Sequence, residues 1–398
     1  MEDLGFPVTS IREGSAEVLI PVEATLKDKP PTSHLPVFYN PIMSLNRDFA
    51  VLVLQAYQSE KSTMLVVCEP LAGCGVRGIR FAKEVDGVSK VILNDLNPKA
   101  YNLIIENVKR NMVNDKVKVY NEDANFLLAK HAKKGLRFDV VDIDPFGSPT
   151  PYLDFALRAL KIGGLLSVTA TDTAVLCGVH KQACIRHYWA KPLKTEYCHE
   201  LAARILLAFI AFSAAKIDLA IKPIFTHSTD HYIRVYVEVF RGAKLADESL
   251  KNNVGYVLHC FNCFNRKVFY GFLQKADLKC DICGRLMKFA GPVWLGKLWS
   301  QKIVEKVAML VREKPLSKPK RVMRIVEKIL AEINSPPTYY TMNSLCDLVG
   351  KPTPPLKIFL DKIRKEGFKA TLTHFNPQGF KTDAPINVLK KILLGISP

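Results

Sequence analysis

The chain has 398 residues, 48% of them hydrophobic, which is enough for two or three domains with cores of their own. No apolar run reaches membrane-spanning length; the longest, Ile205–Ala215, is bounded by Arg204 and Lys216. The N-terminus MEDLGFPV is acidic and lacks a secretory pattern, so a soluble, cytoplasmic protein is expected. The formal net charge is +18, and it is unevenly spread. Residues 1–240 carry 28 Lys+Arg against 26 Asp+Glu, and residues 241–398 carry 28 against 12, so +16 of the excess falls in the last 158 residues. Such asymmetry is the footprint of a polyanion-binding region joined to a near-neutral one.

In chain order, SAEVLIPV is strand-like and KPPTSHLPVFYNP is a Pro-rich link, followed by a helical pattern from Asn46 to Tyr57. Strands and helices then alternate. MLVVCEP reads as a strand and VRGIRFAKEV as a helix. KVILND is a strand, PKAYNLIIENVKRN an amphipathic helix, and KVKVYNEDA a strand with a helix from Asn125. RFDVVDID is a strand, YLDFALRALKI a helix, and GLLSVTATD a strand; YIRVYVEVF alternates with period two. The βαβ rhythm predicts a mostly parallel sheet covered by helices, with ligands at the carboxyl ends of its strands. Glu69, Asp95, Asp123, Asp144 and Asp172 all fall at predicted strand ends.

Beyond residue 241 the pattern changes. A Cys-rich stretch is followed by a basic segment. Three helical patterns then appear (IVEKILAEI, TMNSLCDLVG, PPLKIFLDKIRKEGF), and KATLTHFNPQGFKTDAP reads as a hairpin. Three helices and a hairpin predict a winged-helix-like part over about 320–385. The division expected is therefore a Rossmann-like α/β domain with an N-terminal extension over 1–240, and a basic α+β domain over 241–398.

The loop EPLAGCGVRGIR places Gly73, Gly75 and Gly78 in G-x-G-x-x-G spacing between a strand and a helix, with Asp95 closing the next strand. Glycines let the backbone approach a cofactor, and the acid can accept from ribose hydroxyls. That spacing alone suits a dinucleotide or S-adenosylmethionine (SAM). Glu69 and Asp123 tilt the reading to SAM, because carboxylates suit its cationic part and an adenine amino group and would repel a pyrophosphate. The next acid ends the strand in Asp144-Pro145-Phe146-Gly147. An exocyclic base amine is a poor nucleophile. A carboxylate accepting its N–H groups aligns it and favours the developing positive charge, the Pro145 carbonyl offers a second acceptor, and the Phe146 ring gives a planar base a face to lie on.

Cys260-x2-Cys263 and Cys280-x2-Cys283 are 16 residues apart. Two such hairpins complete a tetrahedron of thiolates, so a zinc knuckle over about 258–285 is expected, structural because four thiolates leave no open position. His259 reads as a neighbour and not a ligand. Cys74 and Cys177 read as incidental thiols, since amine methylation needs no covalent enzyme intermediate.

PVFYNPIMSLNRD, GVRGIRFA, LNDLNPKAY, DIDPFGSP, TATDTAVLCG, YGFL, GPVWLG and THFNPQGFKTDAP together resemble the tRNA guanine-N2 dimethyltransferases that act at tRNA position 26, from Pro36 to Pro385. The resemblance implies a class I SAM-dependent methyltransferase domain and a family-specific C-terminal domain, with tRNA as substrate; the sequence leaves the oligomeric state open, with a monomer favoured. It implies Asp144 as catalytic acid, Phe146 and Phe38 as the aromatics around the guanine, and Arg47, Arg77, Asp95, Asp123 and Ala124 as SAM contacts. From spacing alone, Arg47 and Arg77 read as surface charges on helices. A basic C-terminal region that grips tRNA phosphates also implies affinity that falls steeply with salt. Two other readings stand beside this one: a nicotinamide-dinucleotide-dependent oxidoreductase, and a non-catalytic zinc and winged-helix nucleic-acid-binding protein.

Overall fold

The computed structural model describes residues 4–25, 35–271 and 277–396. Two compact units interleave along the chain. The first comprises 1–169, 236–240 and 302–326, and the second 170–235, 241–301 and 327–398. One change of unit falls between residues 240 and 241, where a boundary was expected, and the chain also crosses between the units at 169/170, 235/236, 301/302 and 326/327.

The first unit begins with an antiparallel hairpin, β1 (Val8–Glu13) and β2 (Ala16–Pro21). Helix α1 (Ser44–Lys61) is buried along most of its length, including the consecutive polar residues Asn46, Arg47 and Asp48. The alternating elements then follow as read from the sequence: β3 (Leu65–Glu69), α2 (Val76–Glu84), β4 (Val88–Asn94), α3 (Pro98–Arg110), β5 (Val117–Tyr120), α4 (Ala124–His131), β6 (Phe138–Ile143), α5 (Thr150–Ala159) and β7 (Leu160–Ala170). The first difference is at α5. It stops at Ala159, and Leu160 begins a strand by pairing with Phe138, because a stretch as short as Leu160-Lys161-Ile162 carries no period that separates helix from strand. Within this unit the strand order is β5-β4-β3-β6-β7, all parallel, with the strand residues Tyr236–Phe240 beside β7. Succession runs outward in one direction from β3 to β5 and in the other from β6 to β7. The carboxyl ends of β3 and β6 therefore flank the point where the order reverses, the crevice such sheets offer to ligands.

The segment 302–326 belongs to this unit, burying Ile303, Val304, Val307 and Val322, and polar contacts tie it there as well. Lys302 and Lys306 pair with Glu60. Lys314 Nζ donates to the Glu84 carbonyl and pairs with Asp86 at 3.3 Å, and Asp48 Oδ2 accepts from the backbone N–H groups of Ser317 and Lys318, each at 3.0 Å. Part of the basic stretch assigned from sequence to a nucleic-acid grip thus has its cations engaged locally.

In the second unit, the helix Cys198–Ala215 is 18 residues long. Among the described residues it is the one helix long and apolar enough to cross a membrane, and it extends beyond the Ile205–Ala215 run. It packs against the strands Leu219–Thr229 and Lys288–Trp294 and is largely buried, Glu200 and Arg204 included. An antiparallel sheet orders Arg266–Tyr270, Val254–His259 and Lys288–Trp294. The stretch read from sequence as winged-helix-like holds three strands and the helices Met342–Val349 and Leu356–Lys365 in this unit. Its strands Tyr340–Thr341, Gly379–Thr382 and Ala370–Leu372 form one antiparallel sheet, and Met342, Leu345, Phe359, Leu360, Ile363 and Phe380 share a core. A further helix, Ile386–Leu394, places Ile386, Leu389 and Leu393 in that core.

Candidate active site

The loop between β3 and α2 is built by backbone geometry. Gly73 has φ +55°, and a Cβ there would meet the Phe38 carbonyl oxygen at 3.0 Å; Gly75 has φ +79° and caps α2. The Gly73 N–H donates to Asp95 Oδ2 at 2.8 Å and the Asn97 N–H to Asp95 Oδ1 at 3.0 Å, so the carboxylate after β4 is fixed against the glycine loop. Burial raises its pKa, against those two donors. The Asn121 amide donates to the Asp95 carbonyl at 2.8 Å, tying the next loop alongside. In that loop Asp123 accepts from the Phe126 N–H at 3.0 Å and caps α4, with Ala124 buried as the helix's first residue.

The carboxyl ends of β3 and β6 converge on Arg77. This guanidinium is buried and meets Glu69 Oε1 at 3.2 Å, Asp142 Oδ1 at 3.8 Å and Asp144 Oδ2 in a short ion pair, while its Nη1 donates to Asn46 Oδ1 at 2.9 Å. The sequence reading of Arg77 as a surface charge is corrected: it is the hub of three acids. Asp144 remains 19% exposed on its side chain, so it faces the crevice while anchored from within. Burial, then the Asp142 and Asp144 carboxylates, push Glu69 up to about 8 against the pull of Arg77. Beside Asp144, the rings of Phe38 and Phe146 meet edge to face, centroids 4.1 Å apart, with Phe146 57% exposed.

Arg47 is also buried. Its Nε and Nη2 donate to the two oxygens of Glu13, each at 2.6 Å, and Tyr39 Oη donates to Glu13 Oε2 at 3.1 Å. Arg80 adds a bond to Glu13 Oε1 at 3.0 Å. Burial raises the Glu13 pKa, but Arg47 and then Arg80 outweigh it and hold the carboxyl at about 2. Glu13, Asn46, Arg80 and Asp142 were not singled out from the sequence. The one signal was three consecutive polar residues, Asn46-Arg47-Asp48, opening an apolar helix.

Residues 14–394 match the family described as N2,N2-dimethylguanosine tRNA methyltransferase. Chains named tRNA (guanine(26)-N(2))-dimethyltransferase from Methanobrevibacter smithii and Methanosphaera stadtmanae are 38% and 40% identical, covering 98% and 97% of this chain and 98% and 96% of theirs. A solved structure of Trm1 from Pyrococcus horikoshii with S-adenosyl-L-methionine superposes with TM-score 0.85 at 35% identity, covering 97% of this chain and 99% of that one. The chain belongs to the N2,N2-dimethylguanosine tRNA methyltransferase family. Its α/β unit is therefore a class I methyltransferase fold, and the oxidoreductase reading of the glycine loop is set aside. Cys74 within that loop is buried, with burial raising its pKa to about 12, as suits an incidental thiol.

In this family member the four predicted cysteines converge. Sγ–Sγ separations are 3.5 Å for Cys260–Cys283 and for Cys263–Cys280, and all four sulfurs lie within 4.8 Å of one another. A tetrahedral zinc with bonds of about 2.3 Å needs edges of about 3.8 Å, so the set fits the ion. The two knuckles are alike. The Cys260 N–H donates to the Asn265 carbonyl and the Cys280 N–H to the Arg285 carbonyl, both at 2.9 Å. The backbone N–H of Arg285 leads the groups that draw Cys283 down to about 6. His259 lies outside the cluster, buried against the rings of Tyr197, Phe261 and Phe264, and burial lowers it to about 3, which keeps it neutral. Asp172 is engaged by Tyr188, whose Oη donates to it at 2.8 Å.

Proposed function

We propose that this protein transfers methyl groups from SAM to the exocyclic N2 of guanine at tRNA position 26, giving N2-methyl- and N2,N2-dimethylguanosine. The observation that carries the reading is Asp144, partly open to the crevice beside Phe38 and Phe146 and fixed from behind by Arg77. The glycine loop, with Asp95 held across it, and the carboxylates at the carboxyl ends of the strands fit SAM. When bound, SAM supplies a methyl group activated by a sulfonium. Asp95 and Asp123, with Ala124, hold its nucleoside part; Arg47, Arg77 and Glu69 face its charged end. Phe38 and Phe146 hold the extracted guanine. Asp144 accepts an N2–H, aligns the amine, and favours the positive charge that develops on it. The methylated nitrogen is strongly acidic, so an ordinary carboxylate suffices to take its proton, and the Arg77 ion pair does not disable Asp144.

The division of labour proposed is catalysis by residues 1–240 and tRNA binding by 241–398, with zinc holding the knuckle together, in a cytoplasmic monomer. Two cations of the second region are structural: Lys381 and Arg266 are buried in ion pairs with Glu200 and Glu196. Arg364 is engaged by Asp361 and the Ala370 carbonyl, and exposed Lys351, Lys357, Lys365, Lys369 and Lys391 are offered to phosphates. Incubation with methyl-labelled SAM and unmodified tRNA transcripts, followed by nuclease digestion and nucleoside chromatography, tests the reading. Label in N2-methylated guanosine supports it, and label absent from guanosine with folded, zinc-loaded protein overturns it.

The carboxyl of Glu69 gives a pH dependence. Its folded pKa, about 8, lies above the ordinary 4.5. The stability it contributes is thus full below about pH 4.5 and is lost as pH rises through about 8. A cationic ligand favours the ionised form, so SAM affinity rises over the same window, by up to about tenfold per pH unit, and levels above about 8. The ratio of SAM Kd in Glu69→Gln to that in wild type cancels the ligand's own titration. It is expected to grow between about pH 6 and 8; a ratio flat with pH places Glu69 away from the cation.

A further inference from the structure

The second unit carries another convergence of metal-ligating side chains, distinct from the four-cysteine cluster. Cys177 follows the short helix Thr173–Leu176, and Cys198 and His199 open the helix Cys198–Ala215. The sulfurs of Cys177 and Cys198 and a ring nitrogen of His199 all lie within 4.8 Å of one another. We propose that Cys177, Cys198 and His199 form a second metal site, for a borderline divalent cation of the zinc class.

The donor set and its support both suit that ion. Two sulfurs and one imidazole nitrogen are a recurrent zinc set, and three protein ligands leave a fourth position for water or a further donor. The two sulfurs are already hydrogen-bonded to each other, and backbone N–H groups of the first helical turn point at the Cys198 sulfur. His199 hydrogen-bonds the Phe375 backbone, the outer contact that fixes ring orientation in metal-ligating histidines. Cys177 is 8% exposed, so a bound ion is shielded on that side. An ion here ties the loop after the TATD strand to the first turn of the helix and, through His199, to the THFNPQGF segment, which stiffens the second unit in a place the knuckle does not reach. The site does not depend on the proposed methyl transfer.

Metal analysis of the full chain, purified under reducing conditions with zinc supplied and excess removed, tests this. Wild type is expected to hold about two zinc ions per chain. Cys177→Ser/Cys198→Ser is expected to keep about one, and Cys260→Ser/Cys263→Ser to keep about one. His199→Asn, which leaves both sulfurs in place, is expected to hold the second ion more weakly under a chelator challenge. Cobalt substitution of wild type should show two populations that the two double variants remove separately. About one zinc in wild type, lost entirely with Cys260 and Cys263 and untouched by Cys177→Ser/Cys198→Ser, overturns the proposal. A Cys177–Cys198 disulfide, found by peptide mass spectrometry without added reductant in place of bound metal, overturns it as well.

Discussion

Asp144→Asn is expected to lower kcat for methyl transfer by about a thousandfold, within the 10²–10⁴ range for removing an acid–base or charge-stabilising group, with SAM Kd changed little. Asparagine keeps the shape and one acceptor oxygen but not the charge. It therefore isolates the electrostatic part of the role, whereas alanine would remove positioning too. The neighbouring groups sharpen the expectation. Arg77 meets Glu69, Asp142 and Asp144 together and also donates to Asn46 Oδ1, so it keeps three partners when Asp144 is neutral and stays in place. Single-turnover rates with saturating tRNA, set beside calorimetric SAM binding and thermal unfolding, separate the possibilities. Activity within about tenfold of wild type, with an unchanged fold, would mean that Asp144 serves only as an ion-pair partner of Arg77.

What the sequence disclosed and what it hid follow from range. The strand-to-helix loop, the acids that close or follow β3, β4 and β6, and the paired CxxC hairpins are signals local in the chain, each with a fixed spacing; the loop and Asp95 meet, Glu69 and Asp144 meet at Arg77, and the four cysteines converge separately. The hairpin of Ala370–Leu372 and Gly379–Thr382 was legible for the same reason, while the short strand Tyr340–Thr341 that joins it was not. Arg47 and Arg77 were not legible from spacing. A charged residue on a helix reads as solvent-facing unless its partners are known, and theirs lie up to 67 residues away. The segment 302–326 shows the same blindness at the scale of domains. Its lysines read as part of a basic module, but Glu60 and Asp86 engage three of them and Asp48 caps the turn that follows. The change from helix to strand at Leu160 hid for another reason: three residues, Leu160-Lys161-Ile162, are too few to show a period.

Arg80→Met is expected to cost about 3–5 kcal/mol of folding stability at neutral pH, the scale for stripping one partner from a buried ion cluster. Arg80 is fully buried. Its guanidinium meets Glu13 Oε1 at 3.0 Å, Asp48 Oδ1 at 2.9 Å and Glu84 Oε2 at 3.0 Å, three carboxylates themselves almost without solvent. Methionine fills most of the volume, so the loss is one of charge and not of packing. Burial already raises the Asp48 and Glu84 pKa values, and losing the cation raises them further. The defect is thus largest above neutrality and shrinks as falling pH protonates them, visible in urea unfolding at two pH values. The cluster's net worth is a separate quantity from that penalty. Desolvating so many charges offsets much of their attraction, so an apolar replacement of Asp48, Arg80 and Glu84 together, which leaves Glu13 paired with Arg47, is expected to cost less than Arg80→Met alone. The triple variant still loses the Asp48 cap on the Ser317 turn and the Arg80 link between β1, α1 and α2. A triple variant less stable than Arg80→Met would show instead that the ions themselves hold the fold.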